Sequence, residues 1–432
     1  MEAPTRWQRL CRSGLFHQME SLTWGNLTLI DSDGRHNFPS DSINAGPRAS
    51  VRVLNAKLYS MISSSSSLGA AEAYLRGYWE SDNLVDVMRI MTNNADNLST
   101  LDTRFDWLML PFRAAWHWMM RNSKSGSKRN ISAHYDLSNE FFSLMLDPTM
   151  TYSSGYFEHA ESSMEDASLA KFDRICRKLQ LNSNDHLLEI GTGWGGLAIY
   201  AAKNYGCKVT TTTISKEQYE FAKKRVEELD LEDRIELLLE DYRDLDGQYD
   251  KLVSVEMIEA VGETYLDTYF AKCSSLLKPN GLMVLQAITM PDHKYDAYRQ
   301  STDFIQTYIF PGGFLPSFSA ITESLRTKTD LRVEHAEDFG LHYARTLQRW
   351  QEKFWENIDA IGSLGFDERF LRTWKYYLCF CEAGFLECET GVVHLVMAKP
   401  KYRPQRPAAL RSVAQCSAAS GCPIRSNWPL LE

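Results

Sequence analysis

The chain has 432 residues, 44% hydrophobic and 24% charged, which is enough for a large core and two domains. A net charge of −9 argues against nucleic acid as a partner, since phosphate binding needs a basic surface. No run of about 18 apolar residues exists to span a bilayer, MEAPTRWQRLCRSG lacks the apolar core of a secretory signal, and the nine scattered cysteines form no common zinc pattern.

Residues 1–122 read as a small α/β domain. WGNLTLIDSDG (Trp24–Gly34) alternates as a strand and a turn, and SVRVLNAKLYSMI (Ser50–Ile62) is a second alternating run. Ser63–Ser67 reads as a loop, followed by a helical stretch from Leu68 to Met91. Phe105–Met120, FDWLMLPFRAAWHWMM, is rich in Trp, Leu and Met and is followed by Arg121, Lys124, Lys128 and Arg129. It fits a buried interdomain helix broken at Pro111, or a membrane-surface contact with aromatic anchors beside cations. Residues 123–129 read as an exposed linker.

Residues 130–400 alternate strands with helices. His186–Ile190, Lys208–Thr213, Arg234–Leu239, Lys251–Val255 and Leu282–Ile288 are the strands. Gly195–Tyr205, Ser215–Leu229 and Thr264–Leu277 are the helices, and Lys278–Gly281 is a turn into the last strand. The alternation predicts an α/β fold with a doubly wound parallel sheet. Residues 401–432 read as a disordered tail.

LLEIGTGWGG (Leu187–Gly196) carries the cofactor signal. An apolar strand ends in an acid and runs through a Gly-x-Gly turn into a helix, whose N-terminus offers unpaired N–H groups. Gly191, Gly193 and Gly196 fit the dinucleotide spacing. The second strand, however, ends in Thr212-Thr213-Ile214-Ser215 and not in the acid that a dinucleotide ribose expects. The third is followed by Glu240-Asp241-Tyr242-Arg243, where an acid can take the exocyclic amine of adenine. Together these resemble class I S-adenosylmethionine (SAM) methyltransferases, a Rossmann-like fold.

The resemblance narrows on longer blocks. HYDLSNEFFSLMLDPTMTYSSGYFE (His134–Glu158), VEMIEAVGETY (Val255–Tyr265), LQAITMPDHKYDAYRQSTDFIQTYIFPGGFLPS (Leu285–Ser317) and FGLHYARTLQRW (Phe339–Trp350) look like the cyclopropane fatty acid synthase family. YLRGYWES (Tyr74–Ser81) and WGNLTL resemble its N-terminal domain. The DFIQTYIFPGG block and Gln286 look more like the plant and actinobacterial branch.

The family resemblance implies a C-methyltransferase that adds one carbon to a cis double bond in an unsaturated phospholipid acyl chain. An alkene is a poor nucleophile and must meet the sulfonium methyl in line, without water. The resulting carbocation needs a negative or π-rich surround and a base; its deprotonation gives a cyclopropane or a methylene branch. The resemblance implies a bound bicarbonate as base, held by Ser154, Glu259, Gln286, Ile288 and Tyr343. Glu259 orients the ion, Tyr343 donates to it, and Ile288 and residue 154 contribute backbone N–H groups. Ser154 and Gln286 stand where bacterial synthases generally carry Cys and His.

For SAM, the resemblance implies Tyr152 and Ser153, Gly191 and Gly193 at the turn, and Thr213, Ile214 and Gln218 at the ribose and methionine. Asp241, Tyr242 and Arg243 face the adenine, and His134 and Tyr135 belong to a lid. Phe304, Tyr308, Phe310 and Phe314 are candidates to line an acyl channel. The implied enzyme is cytoplasmic and docks peripherally on the membrane through its N-terminal domain and Phe105–Arg129; a homodimer is a further option. A small-molecule amine N-methyltransferase and a non-catalytic lipid-binding relative remain as alternatives.

Overall fold

A computed structural model describes residues 4–40, 43–98 and 138–404. The expected linker, Phe105–Arg129, His134, Tyr135 and most of the expected tail lie outside the described residues.

The N-terminal part opens with helix α1 (Arg6–Met19), closed at its start by a Thr5/Gln8 capping box. Strands β1 (Asn26–Asp31), β2 (Gly34–Phe38), β3 (Arg48–Val53) and β4 (Trp79–Ser81) form a sheet ordered β2-β1-β3-β4. Helices α2 (Lys57–Leu75) and α3 (Leu84–Asn93) complete it. The alternating run expected over Ser50–Ile62 is strand only as far as Val53. Asn55 ends it: its side chain accepts from the Lys57 N–H at 3.0 Å and its carbonyl from Leu58 N–H at 3.1 Å, so a helix starts there. Within Ser63–Ser67 the expected break is confined to Ser65 and Ser66, whose φ of −143° and +48° are non-helical and separate α2 into two helical segments. Ser60 and Ser64 hydroxyls bond carbonyls three residues back, which satisfies them within the helix.

The second part begins with α4 (Asn139–Met145) and α5 (Met164–Leu179). Then β5 (His186–Ile190), α6 (Gly196–Tyr205), β6 (Lys208–Thr212), α7 (Lys216–Glu228), β7 (Ile235–Leu238), β8 (Tyr249–Val255), α8 (Leu266–Leu276) and β9 (Leu277–Thr289) follow in alternation. The expected turn at Lys278–Gly281 lies inside β9. Helix α9 (Phe318–Lys328), β10 (Arg332–Asp338), α10 (Gly340–Glu356), α11 (Glu368–Leu386) and β11 (Gly391–Ala398) complete the fold.

The seven strands run β10-β11-β9-β8-β5-β6-β7. β5 through β9 pair in parallel, while β11 is antiparallel to both neighbours and lies between β9 and β10. A dinucleotide-binding sheet has no such inserted strand. Alternation along β9 divides the core between the two faces. Met283, Leu285 and Ala287 pack with α8 on one side, and Leu282 and Val284 with α5 and α6 on the other. Tyr402, placed in the tail by sequence, is buried here: its hydroxyl accepts from Gln180 Nε2 at 2.9 Å.

Candidate active site

Beyond β5 the chain turns to β6 on one side and, later, to β8 on the other. That reversal leaves a crevice at the carboxyl ends of the strands, where open α/β sheets bind ligands. A cavity of about 570 Å³ occupies it.

One arm follows the glycine turn. Gly191 and Gly193 have φ of +106° and +52°, a region that favours residues without a Cβ. Gly191 and Thr192 N–H groups both donate to the Thr212 carbonyl, which holds the turn against β6. Helix α6 starts at Gly195 with no side-chain cap, leaving its first N–H groups toward the crevice. Tyr152, Ser153, Thr213, Ile214 and Gln218 line the arm, as do Asp241 and Tyr242. Thr213 donates to Gln218 Oε1 at 2.9 Å, which fixes the amide. Arg243 is a correction: it is absent from the lining and folds back onto Asp241, bonding it through Nε at 2.8 Å. The neighbouring Glu240 lines the cavity in its stead.

An acid and a lysine sit at the base of this arm. Glu189, at the end of β5, accepts from Thr211 Oγ1 at 2.6 Å and is pushed up to about 8 by burial. Lys171 is fully buried, donates to Ser153 Oγ at 2.6 Å, and is pulled down to about 8 by the same desolvation.

The other arm is apolar. Phe310 and Phe314 line it, with Ile305, Tyr377, Phe380 and Phe385. Phe304 and Tyr308 do not: Phe304 packs against Tyr376 with ring centroids 4.6 Å apart and the planes tilted by 52°, and the Tyr308 hydroxyl donates to Glu72 Oε2 at 3.0 Å. Both therefore hold the wall rather than form it. The wall includes a π-helical turn, Ile305–Ile309, a form frequent at functional sites.

Where the arms meet, the structure brings together the expected bicarbonate cradle, but around a residue that sequence reasoning did not single out. Glu256 follows β8. Its Oε1 accepts the Ser154 backbone N–H at 3.0 Å and Gln286 Nε2 at 2.7 Å. Its Oε2 accepts the Tyr343 hydroxyl at 2.6 Å. The fourth expected donor, Ile288 N–H, goes to Glu259 Oε1 at 2.6 Å. These residues therefore do not fit a bicarbonate ion as expected, because each donor already serves a protein carboxylate. Glu256, Glu259, Ile288 and Tyr343 line the cavity; Ser154 and Gln286 lie behind Glu256.

The Gln286 amide is set from behind. Lys178 Nζ meets His394 Nδ1 at 3.0 Å, and His394 Nε2 meets Gln286 Oε1 at 2.8 Å. An ammonium only donates, so His394 must donate from Nε2 and Gln286 must present its NH₂ to Glu256. Burial and Lys178 hold His394 well below its ordinary range, which keeps it neutral.

The two acids differ. Glu259 accepts one hydrogen bond, and its Oε2 is buried without a partner among the described residues. Burial, then the charge of Glu256, push it up to about 8, so it holds its proton at neutral pH. Burial also raises Glu256, but Lys171 and its three donors favour its ionised form. Glu256 takes φ +47°, which costs a residue with a Cβ on the order of 1 kcal/mol. Its acid type was visible within VEMIEAVGETY; its strained backbone and its convergence with residues 154, 286 and 343 were not.

The inserted antiparallel strand, the glycine turn and the crevice at the strand ends define a class I SAM methyltransferase. The particular family follows from comparison. A family model for mycolic acid cyclopropane synthetase matches residues 122–395. Tuberculostearic acid methyltransferase UfaA1 of Mycobacterium tuberculosis is 40% identical over 371 residues, covering 83% of this chain and 84% of that one. The cyclopropane-fatty-acyl-phospholipid synthase of Escherichia coli K12 is 38% identical, covering 80% and 86%. Among solved structures, mycolic acid cyclopropane synthase CmaA1 complexed with SAH and CTAB is 32% identical with a TM-score of 0.59, covering 63% of this chain and 98% of that one. The chain belongs to the mycolic acid cyclopropane synthetase family and is an enzyme of it.

Proposed function

We propose that the protein methylates the cis double bond of an unsaturated acyl chain in a phospholipid, giving a cyclopropane or a methylene branch. The observation that carries this reading is the cavity itself. Its polar arm runs past the glycine turn, its apolar arm is lined by Phe310, Phe314 and Phe380, and buried carboxyls stand between them. That shape suits a charged cofactor meeting a hydrocarbon. The names of the relatives point to the same chemistry: one is a cyclopropane-fatty-acyl-phospholipid synthase, the other a tuberculostearic acid methyltransferase.

S-Adenosylmethionine, when bound, supplies an electrophilic methyl group on a sulfonium. The first glycines of the turn allow close backbone approach, Gln218 and Thr213 suit the ribose and methionine region, and Asp241 and Tyr242 suit the adenine. The apolar arm excludes water from the alkene. The Glu256 carboxylate and the rings of Phe310 and Tyr343 face the positive charge that develops on the chain. No step is assigned to bicarbonate, since its expected donors serve Glu256 and Glu259.

The enzyme docks on a membrane surface to reach such a chain. Among the described residues no helix is long and apolar enough to cross a bilayer. Helix α1 presents Trp7 and Leu10, 60% and 64% exposed, beside Arg6 and Arg9, which supports peripheral contact.

The test is release of S-adenosylhomocysteine with vesicles of dioleoyl phospholipid, of fully saturated phospholipid, and with soluble amines. Turnover on the dioleoyl vesicles alone is expected. Turnover on amines, with none on unsaturated vesicles, would sink the reading.

A further inference from the structure

We propose that the Glu256 carboxylate is itself the proton acceptor of the reaction, in the place where the family resemblance puts a bicarbonate ion. The inference rests on the reading that this chain methylates an alkene.

The donor set carries it. A bicarbonate and a carboxylate present the same planar O–C–O edge to their surroundings. The three donors expected around the ion, from Ser154, Gln286 and Tyr343, converge on the two oxygens of Glu256 instead. Glu256 is the residue whose backbone resists its own side chain, at φ +47°. A glycine would hold the same backbone without strain and leave a carboxylate-sized space among the same donors. The side chain therefore fills the ion's place.

Lone-pair counting says where the proton goes. Oε1 accepts two hydrogen bonds and is saturated. Oε2 accepts one, from Tyr343, which leaves one lone pair on a residue that lines the cavity. The charged and titratable groups around this carboxylate are Lys171, Tyr343, Tyr377 and Glu259. Three donors converge on Glu256 and one on Glu259, and Glu259 keeps its proton at neutral pH, so the negative charge of the pair is placed on Glu256.

The step balances without a further reactant. The π pair of the alkene forms the bond to the methyl carbon as the methyl–sulfur bond breaks and its pair stays on sulfur. A carbocation remains on the other alkene carbon. A C–H bond of the new methyl then breaks: its electron pair closes the ring and the proton bonds to Oε2 of Glu256. A 1,2-hydride shift before that loss moves the cation to the methylated carbon, and the same proton loss then gives a methylene group.

The experiment measures lipid methylation in buffer freed of carbon dioxide, with and without added bicarbonate. Wild-type turnover is expected to be the same in both. E256Q should lose about 100-fold or more in turnover while its SAM affinity by calorimetry stays within about twofold, and it should yield hydroxylated methyl lipid where water captures the stranded cation. E256G should be inactive alone and recover at least about tenfold with bicarbonate, a rescue that a structural defect would not show. If E256G does not fold, the near-isosteric E256Q decides. Bicarbonate dependence in an active wild type, or wild-type turnover by E256Q, would overturn the role of Glu256 alone. A wild type silent on every unsaturated lipid would overturn the methylation reading with it.

Discussion

Glu256 and Glu259 lie three residues apart in sequence, and their surroundings differ. Three donors and Lys171 stabilise charge on Glu256; one donor and an unpartnered buried oxygen leave Glu259 neutral. Separation of two acids by environment is a common basis for acid and base roles. E259Q swaps a protonated acid for a neutral amide of the same shape, and its carbonyl still accepts the Ile288 N–H. It should keep turnover within about tenfold of wild type at pH 7 and lose the inflection near pH 8 where Glu259 ionises; a pH–rate profile checks this. Behind Glu256, His394→Ala removes the donor to Gln286 Oε1 and frees the amide to flip. A buried acceptor left unpaired costs ~1–3 kcal/mol, to be read as a lower melting temperature together with reduced kcat.

At the scale of elements, two glycines test local geometry. A Cβ on Gly191 would sit 3.3 Å from Met257 with φ at +106°. Gly191→Ala should therefore weaken SAM binding by about tenfold, or ~1.4 kcal/mol, with the fold retained, as titration calorimetry would show. In α2, the kink at Ser65 and Ser66 brings Gly69 against the preceding turn, so that an added Cβ would lie 2.0 Å from the Met61 carbonyl oxygen. Backbone cannot yield as a side chain does, and Gly69→Ala should lower stability by ~3 kcal/mol or more, measured by denaturant unfolding.

These elements also show how far the sequence could be read. β5 and β6 were legible to within a residue, since apolar runs bounded by a glycine turn and by Thr212–Ser215 leave little choice. Ser50–Ile62 misled because a two-residue period continues by chance past Asn55, whose side chain accepts from the Lys57 N–H in a turn just before the helix. The cofactor arm was legible because its residues lie next to the ends of consecutive strands. The carboxyl cluster was legible only in its parts. Ser154, Gln286 and Tyr343 were named, but the atom on which they meet belongs to Glu256, which is 102, 30 and 87 residues away along the chain. No local pattern encodes such a convergence.

Across the whole molecule, helix α2 of the N-terminal part braces the acyl wall. Glu72 on α2 accepts from Tyr308 on the π-helical turn and from Arg369 on α11. Glu72→Ala should raise KM for lipid several-fold while leaving SAM affinity unchanged, because the turn carries the apolar arm and not the glycine turn. Buried acids also set the pH dependence of stability. Glu189 and Glu259 stay protonated to about pH 8 in the folded chain but only to about 4.5 when unfolded. The folded state binds more protons in that window, so their contribution is full below it and is lost as pH rises to 8. The double variant E189Q/E259Q should flatten the slope of unfolding free energy between pH 5 and 8 relative to wild type.

The activity predictions rest on one claim: a methyl group moves from sulfur to carbon inside this cavity. The direct measurement is carbon NMR of lipid recovered after incubating the enzyme with methyl-¹³C-labelled SAM and dioleoyl phospholipid vesicles. The account predicts the label on acyl carbon at the former double bond, as a ring CH₂ or a methylene, with loss of the alkene signal. Label on a head-group nitrogen or oxygen, with the double bond intact, would contradict it.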